Sequence, residues 1–356
     1  MNRDPVLFRV DGTSQSGWEG LGRCLVLAAA LQRRRRQSYF LGQLEPTSLA
    51  FQVKRGGNEW LDADSSVGTS DDLTETIQEI RRLGPAAVIV DSPNAGEDYL
   101  AALRTTGVLV VVLDHQAHLR FPAQLVINPL LAPSREAYSF RPGTQLLLGP
   151  RYALVRPEIR RVRAVRSQEP AQPIRALLAL GDDDPHHQVV PLTRTLLGLA
   201  KLERIDVIVR PWHPEVEVLR ELAAAHPERL EVATEGAEVT ARIGRCHFAV
   251  TSGGGMSLEL ACVGVPQLVV VQSEAHWPTA QRLEEEGVAT CLGWYETVSA
   301  QTVRQAIVNV LGDALERQAM ARCGRQLIDG RGPDRLVTAL EVMLHPSRLV
   351  DFSQAA

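Results

Sequence analysis

The stretch richest in potential chemistry is "TSGGGMSLELACVGVPQLVVV", Thr251 to Val271. An apolar run ends at Ser252, and Gly253, Gly254 and Gly255 then permit positive φ and close backbone approach. A helical pattern starts near Met256. Amides left free at a helix start, with hydroxyls from Thr251, Ser252 and Ser257 beside them, make a site for a diphosphate. Glu259 lies one turn further in, where a carboxylate can accept hydrogen bonds from ribose hydroxyls. No G-x-x-x-x-G-K-[ST] run occurs, which argues against a P-loop ATPase. The turn Gly264-Val265-Pro266 into a further strand makes the pattern more specific than a packing turn.

Other polar candidates stand where apolar runs stop. Asp11, Asp91 and Asp114 each follow one, and His115 and His118 continue the last. Such an Asp either caps a helix or turn or faces a ligand, and the sequence leaves both readings open. "GDDDPHH" at Gly181 invites a metal, but two adjacent histidines cannot both point one way at a helix start, so no metal is expected.

The elements that must position these residues alternate. In the first half, "VLFRVDG", "SYFLG", "AAVIVDS", "VLVVVLDH", "LVIN" and "QLLLG" read as strands separated by amphipathic helices such as "TSDDLTETIQEIRRLG". Runs apolar on both faces belong inside a parallel sheet covered by helices. The alternation restarts after Pro173 with "IRALLALG", "RIDVIVRPW", "LEVATE", "HFAVTSGGG", "PQLVVVQ" and "ATCLG". The charged, proline-bearing stretch over 157–173 reads as a linker. The expectation is an α/β protein of two doubly wound Rossmann-type domains facing a cleft, 1–160 and 171–330, with a helix and tail over 331–356 packing toward the first. Two or three amphipathic helices close the chain.

The chain has 356 residues, too many for one ordinary core, and its 45% apolar and 22% charged composition is that of a globular protein. A net charge of -4 offers no overall attraction to nucleic acid or anionic lipid. The run Arg33 to Arg36 reads as a solvated helix end that complements the dipole. Five cysteines, Cys24, Cys246, Cys262, Cys291 and Cys323, are odd in number and form no C-x-x-C pair, which points to reduced thiols. No apolar run reaches the ~18 residues of a membrane span, and the opening "MNRDPVLFRV" lacks a signal-peptide core, so the expected compartment is the cytoplasm.

The glycine-rich stretch resembles the nucleotide-binding half of two-domain GT-B proteins of the MurG-like group. Within that group the chain resembles the PseG/SpsG family of UDP-2,4-diacetamido-2,4,6-trideoxy-β-L-altropyranose hydrolases and their sporulation-polysaccharide relatives. Further matching segments are "RVDGTSQSG" with "RCLVLA", "VIVDS", "LLGPRYALVRPEI", the Gly and Asp-Pro of "GDDDP", and "IDGRGPDRLV". The resemblance implies a UDP-sugar or related nucleotide as ligand, bound in part through Asp11, Gly17, Tyr152 and Arg156, with no cofactor. For Arg156 a phosphate contact and a hinge role both stay open.

Against the family pattern R-V-D-x-S-x-x-I-G-x-G-H-x-x-R-C-L, the chain keeps Arg9, Asp11, Gly17 and Arg23 but places Gly20 where the resemblance implies a catalytic His. Glycine can neither give nor take a proton. Pro93 replaces a Tyr, Asp182 and Asp183 add charge to the "GDDDP" loop, and Ala275 and His276 replace an Asn-Gln pair. Glu19 is then the candidate base or else a surface glutamate in a helix's first turn, and His276 the next candidate or else a solvent-facing loop residue. Trp18 either stacks on a sugar or base or packs its loop. The implied function is nucleotide-sugar processing in bacterial surface-polysaccharide synthesis, by hydrolysis or glycosyl transfer, with altered catalytic residues. The alternative is a catalytically inactive descendant that binds a sugar nucleotide or a protein partner. Neither nucleic acid nor an integral membrane segment is expected.

Overall fold

A computed structural model describes residues 3–345 apart from 167, 182, 183 and 235. The chain divides into two compact units. One holds the described residues of Met1–Pro129, Pro133–Leu154 and Arg331–Ala356, the other Leu130–Ala132 and Val155–Gly330.

The strands of the first unit are β1 (Arg3–Arg9), β2 (Arg36–Gly42), β3 (Glu59–Asp62), β4 (Ala87–Val90), β5 (Leu109–Leu113), β6 (Arg120–Phe121), β7 (Leu125–Asn128), β8 (Ser139–Phe140) and β9 (Gln145–Leu148). Between them run α1 (Glu19–Arg33), α2 (Ser48–Arg55), α3 (Ser70–Leu83) and α4 (Glu97–Thr105). Seven strands form one sheet in the order β3-β2-β1-β4-β5-β7-β9, while β6 and β8 pair separately. Every pair in the large sheet is parallel. β4 is fully buried and β5 nearly so, as their Val/Ile/Leu composition requires of strands covered on both faces. Register sets Phe8 opposite Phe40, and their rings stack at 4.7 Å.

The second unit runs α5 (Pro157–Val165), β10 (Arg175–Ala179), α6 (Val189–Leu197), β11 (Arg204–Ile208), α7 (Val216–Ala225), β12 (Leu230–Ala233) and α8 (Gly236–Arg245). It continues with β13 (Phe248–Thr251), α9 (Gly255–Val263), β14 (Gln267–Val271), α10 (Trp277–Glu285), β15 (Ala289–Trp294), α11 (Ala300–Gly312) and α12 (Ala314–Leu327). Its six strands lie in the order β12-β11-β10-β13-β14-β15, again all parallel. The chain then returns to the first unit as α13 (Gly332–Leu344).

Three sequence readings need correction. Residues 157–165 of the expected linker are helix α5 and belong to the second unit, because Pro157 opens a helix whose Ile159 is fully buried. The arginine run is not wholly a solvated helix end. Arg36 lies on β2 at 2% exposure, donates to Glu341 at 2.9 Å and to the Asp4 carbonyl, and so ties β2 to α13. The strand β3 was missed, since Glu59 and Asp62 give it a polar edge character. In agreement with the two or three helices expected, three close the described part of the chain, of which α11 and α12 stay in the second unit. All five cysteines are free thiols. Among the described residues no helix is long and apolar enough to cross a membrane.

Candidate functional site

In each sheet the strand order reverses once, between β10 and β13 in the second unit and between β1 and β4 in the first. Open parallel sheets hold ligands beyond the carboxyl ends of the strands at such a switch point.

In the second unit that place is the turn leaving β13. Gly253 has φ +89, and a Cβ there would meet Ala280 Cβ at 3.0 Å and the His276 carbonyl at 3.4 Å. Only glycine satisfies both the left-handed backbone and this approach to α10. The N-termini of α9 and α10 are thereby brought to one turn, with Gly254 as the N-cap residue of α9 and half-buried His276 as that of α10. Neither end has a side-chain cap. A Cβ on Gly255 would meet nothing within 4 Å, so this position faces open space. The first-turn amides of Gly255 and half-buried Met256 have no intrahelical acceptor by geometry.

The side chains of this stretch depart from expectation. Ser252 is buried, and Thr251 Oγ1 and Ser257 Oγ bond each other at 2.8 Å, both fully buried. The Thr251 and Ser257 hydroxyls thus serve the strand-to-helix packing. Glu259 is not a free ribose acceptor either. Its carboxylate takes the Arg156 backbone amide at 3.1 Å, Nε at 2.8 and 3.0 Å, and Nη2 at 2.5 Å. Burial of Glu259 to 6% makes that guanidinium its necessary partner, and the pair fastens the start of α5 to α9.

Two aromatic residues on the same edge escaped the sequence reading. His186, after β10, stacks on Tyr295, after β15, with ring centroids 3.7 Å apart and planes 11° from parallel. Since β13 and β14 lie between those strands, the stack spans the carboxyl ends from which the glycine turn departs. The signal was present in "GDDDPHH", where the pair of histidines drew attention to metals instead of rings. Asp182 and Asp183 lie outside the described residues. Asp184 accepts from the Gln188 and Val189 amides at 2.9 and 2.8 Å and so starts α6. Among the described residues no group of His, Cys, Asp and Glu could hold a metal ion.

In the first unit the loop after β1 leads through Gly17, at φ +73, to α1. Arg9 is completely buried and donates to Asp72 at 2.5 Å, Asp11 at 2.6 Å, the Leu41 carbonyl at 3.2 Å and the Ser65 carbonyl at 2.6 Å. Asp11 also accepts the amides of Gln43 and Val67, both at 3.0 Å, so both its oxygens are committed to the scaffold. Burial lowers the Arg9 pKa, and the charges of Asp11 and Asp72 more than restore it. Trp18 donates its indole N–H to the Glu45 carbonyl at 2.7 Å, which favours loop packing. Asp114 accepts from the Gln116 and Ala117 amides at 3.1 and 2.9 Å and is a turn residue.

Asp91 is held differently, by a bidentate pair with Arg23 at 2.9 and 3.0 Å. Glu19 stands 3.7 Å from the same guanidinium. A Cβ on Gly20 would be 3.4 Å from both Asp91 Oδ1 and Val10 Cγ2. His115 belongs to this group electrostatically. Burial first, then the Arg23 charge, lower its pKa against the opposing Asp91, Asp114 and Glu19, so at neutral pH it is an uncharged imidazole. His118 is exposed, 3.9 Å from Asp114, and Pro93 is exposed on the loop after β4. Tyr152 lies on a single 3-10 turn, Pro150–Tyr152, in the first unit, whereas Arg156 belongs to the second.

No protein-family model matches the chain. The spore coat polysaccharide biosynthesis protein SpsG of Bacillus subtilis (strain 168) is 23% identical over 219 residues, 61% of this chain and 64% of that protein, so the match spans less than two thirds of the relative's length. Acinetobacter baumannii MurG superposes with a TM-score of 0.65 at 17% identity, over 95% of this chain and 99% of its own. Spinosyn rhamnosyltransferase SpnG complexed with thymidine diphosphate gives 0.63 at 16%, over 95% and 100%. With two doubly wound parallel sheets and these likenesses, the chain has the GT-B fold and is similar in sequence to SpsG.

Proposed function

We propose that the second unit binds a nucleoside diphosphate, the carrier half of a nucleotide-sugar such as a UDP-sugar, at the turn from Gly253 to Met256, and that the protein processes such sugars in polysaccharide synthesis. One observation carries this reading: α9 starts without a side-chain cap at a turn whose Gly255 faces open space, and the start of α10 lies against that turn. Each N-terminus carries about half a positive charge and favours an anion by ~0.3–1 kcal/mol, up to ~2 where partly buried. The polysaccharide role in the name of SpsG and the thymidine diphosphate held by SpnG lend support.

Gly255 also supplies the test. Its open Cβ direction lets Gly255→Glu fold while placing a carboxylate against the phosphates. Calorimetric titration should show UDP or thymidine diphosphate binding to the wild type and at least tenfold weaker binding to the variant. No binding by the wild type, or equal binding by both, would overturn the reading.

For proton transfer the candidates are Glu19 and His115 in the first unit and His276 in the second. His115 adds to the sequence reading an uncharged imidazole grouped with Arg23, Asp91 and Glu19. A second reading, nucleotide-sugar binding without catalysis, is favoured by Gly20 and by the commitment of Asp91 to Arg23. UDP release from UDP-sugars separates the two. Turnover that falls at least 10²-fold in Glu19→Gln or His115→Ala marks an enzyme, and no turnover in the wild type marks a binding protein.

A further inference from the structure

On the opposite edge of the second sheet, at the amino ends of β13 and β14, lies a cavity of about 630 Å³ lined by residues that include His247 and Pro266. Four guanidinium groups line it, Arg166, Arg317, Arg322 and Arg325, against a single carboxylate, Glu169.

Helix capping accounts for part of this charge. Arg166 Nη1 donates to the Gly244 and Cys246 carbonyls at 3.1 and 2.6 Å, at the end of α8. Arg325 Nη1 reaches the Val263 carbonyl at 3.1 Å, at the end of α9, and Arg317 Nη1 reaches Val310 and Leu311 at 2.6 and 2.9 Å, at the end of α11. Arg325 Nη1 also reaches the Arg163 and Arg166 carbonyls, each at 3.1 Å, at the end of α5. Four helix C-termini thus offer about half a negative charge each. Glu169 binds Arg317 through its Nε at 2.5 Å and its Nη2 at 3.3 Å. About one positive charge is then left without a counterpart. The capping also uses only one nitrogen of Arg166 and of Arg325. Their Nε and Nη2 groups, and the whole of exposed Arg322, have no hydrogen-bond or ion-pair partner among the described residues. Burial and the neighbouring Arg163 charge lower the Arg325 pKa, as expected of a guanidinium short of a counter-anion.

We propose that this cavity is a second binding site, for a small phosphate-bearing molecule of diphosphate charge, separate from the glycine turn at the other edge of the sheet. Guanidinium forks match phosphate oxygens in pairs, and the volume lies within the range of small-molecule sites. The Nε and Nη2 donors of Arg166 and Arg325, with Arg322 at the rim, are the groups that take the anion.

Inorganic pyrophosphate is the probe, titrated calorimetrically at low salt into the full chain. Gly255→Glu removes the competing anion site, and in that background pyrophosphate should still bind. Adding Arg322→Glu should weaken it at least tenfold, and Arg322→Gln by less. Circular dichroism should report the same melting temperature for all, since Arg322 makes no contact that folding needs. Loss of pyrophosphate binding in Gly255→Glu alone, equal affinity with and without Arg322→Glu, or no binding by any form would overturn the proposal. UDP titrated into the wild type and Arg322→Glu should give equal affinities. If UDP fails with both while pyrophosphate binding depends on Arg322, the nucleotide reading falls and this one stands.

Discussion

Arg9 illustrates what a buried cation demands of its neighbours. Its guanidinium satisfies Asp11 and Asp72, which in turn hold the amides of Gln43, Val67 and Gly68. Arg9→Met should therefore strand two carboxylates in the interior and lower stability by about 3–5 kcal/mol, read as a fall in the urea midpoint. Gly20 is the opposite case, a position with room for more than it carries. A side chain there would start 3.4 Å from Asp91 Oδ1, an ordinary contact. Gly20→His is expected to fold with an unchanged melting temperature, and assays of UDP release should show a gain, with ~10²–10⁴-fold as the ceiling for one acid-base group. The sequence identified Gly20 as a vacancy. It did not disclose that Asp91 is already gripped by Arg23, because a bidentate pair between residues 68 apart depends on which strands are adjacent.

At the scale of elements, close backbone approach decides more than side-chain chemistry. A Cβ on Gly332, at the start of α13, would sit 2.2 Å from the Ala153 carbonyl oxygen. Backbone cannot give way as a flexible side chain can, so Gly332→Ala should displace α13 and cost about 1–3 kcal/mol, with faster hydrogen exchange in α13 and α1 as the local signature. The strands were legible where their composition was unambiguous. β4, β5, β13 and β14 are apolar, β-branched and buried on both faces, and the alternation of strand and helix implied parallel sheets. Stretches whose partners lie far away in sequence were not legible. The charged face of α5 reads as linker until Arg163 is seen bonding the carbonyls of Cys262, Arg325 and Ile328. Likewise "RRRR" reads as solvated until Glu341 arrives to meet Arg36. The turn at Gly253 was legible because its conformation is backbone and local, while the bond of Glu259 to Arg156, 103 residues away, was not.

Over the whole molecule, three histidines share one direction of shift. Burial lowers the pKa of His115, His213 and His247. Their unfolded counterparts titrate near ~6.5, so as pH falls below that value the unfolded chain takes up protons that the folded chain resists. The contribution is constant above about pH 6.5 and declines beneath it. Urea midpoints at pH 7.5 and 5.5 should differ accordingly, the lower pH being less stable, and His115→Gln should reduce the difference. The return of α13 to the first unit has a consequence for how the protein is made. A ribosome releases the seven strands of the first sheet early, yet the helix that covers α1 and supplies Glu341 to Arg36 emerges only after the entire second unit. The second unit, contiguous but for residues 130–132, can mature during synthesis. The first must wait, its α1 face uncovered, so a chain stopped after Gly330 should yield a protease-resistant second unit beside a first unit open to cleavage, and nascent chains of that length are the ones that need a chaperone.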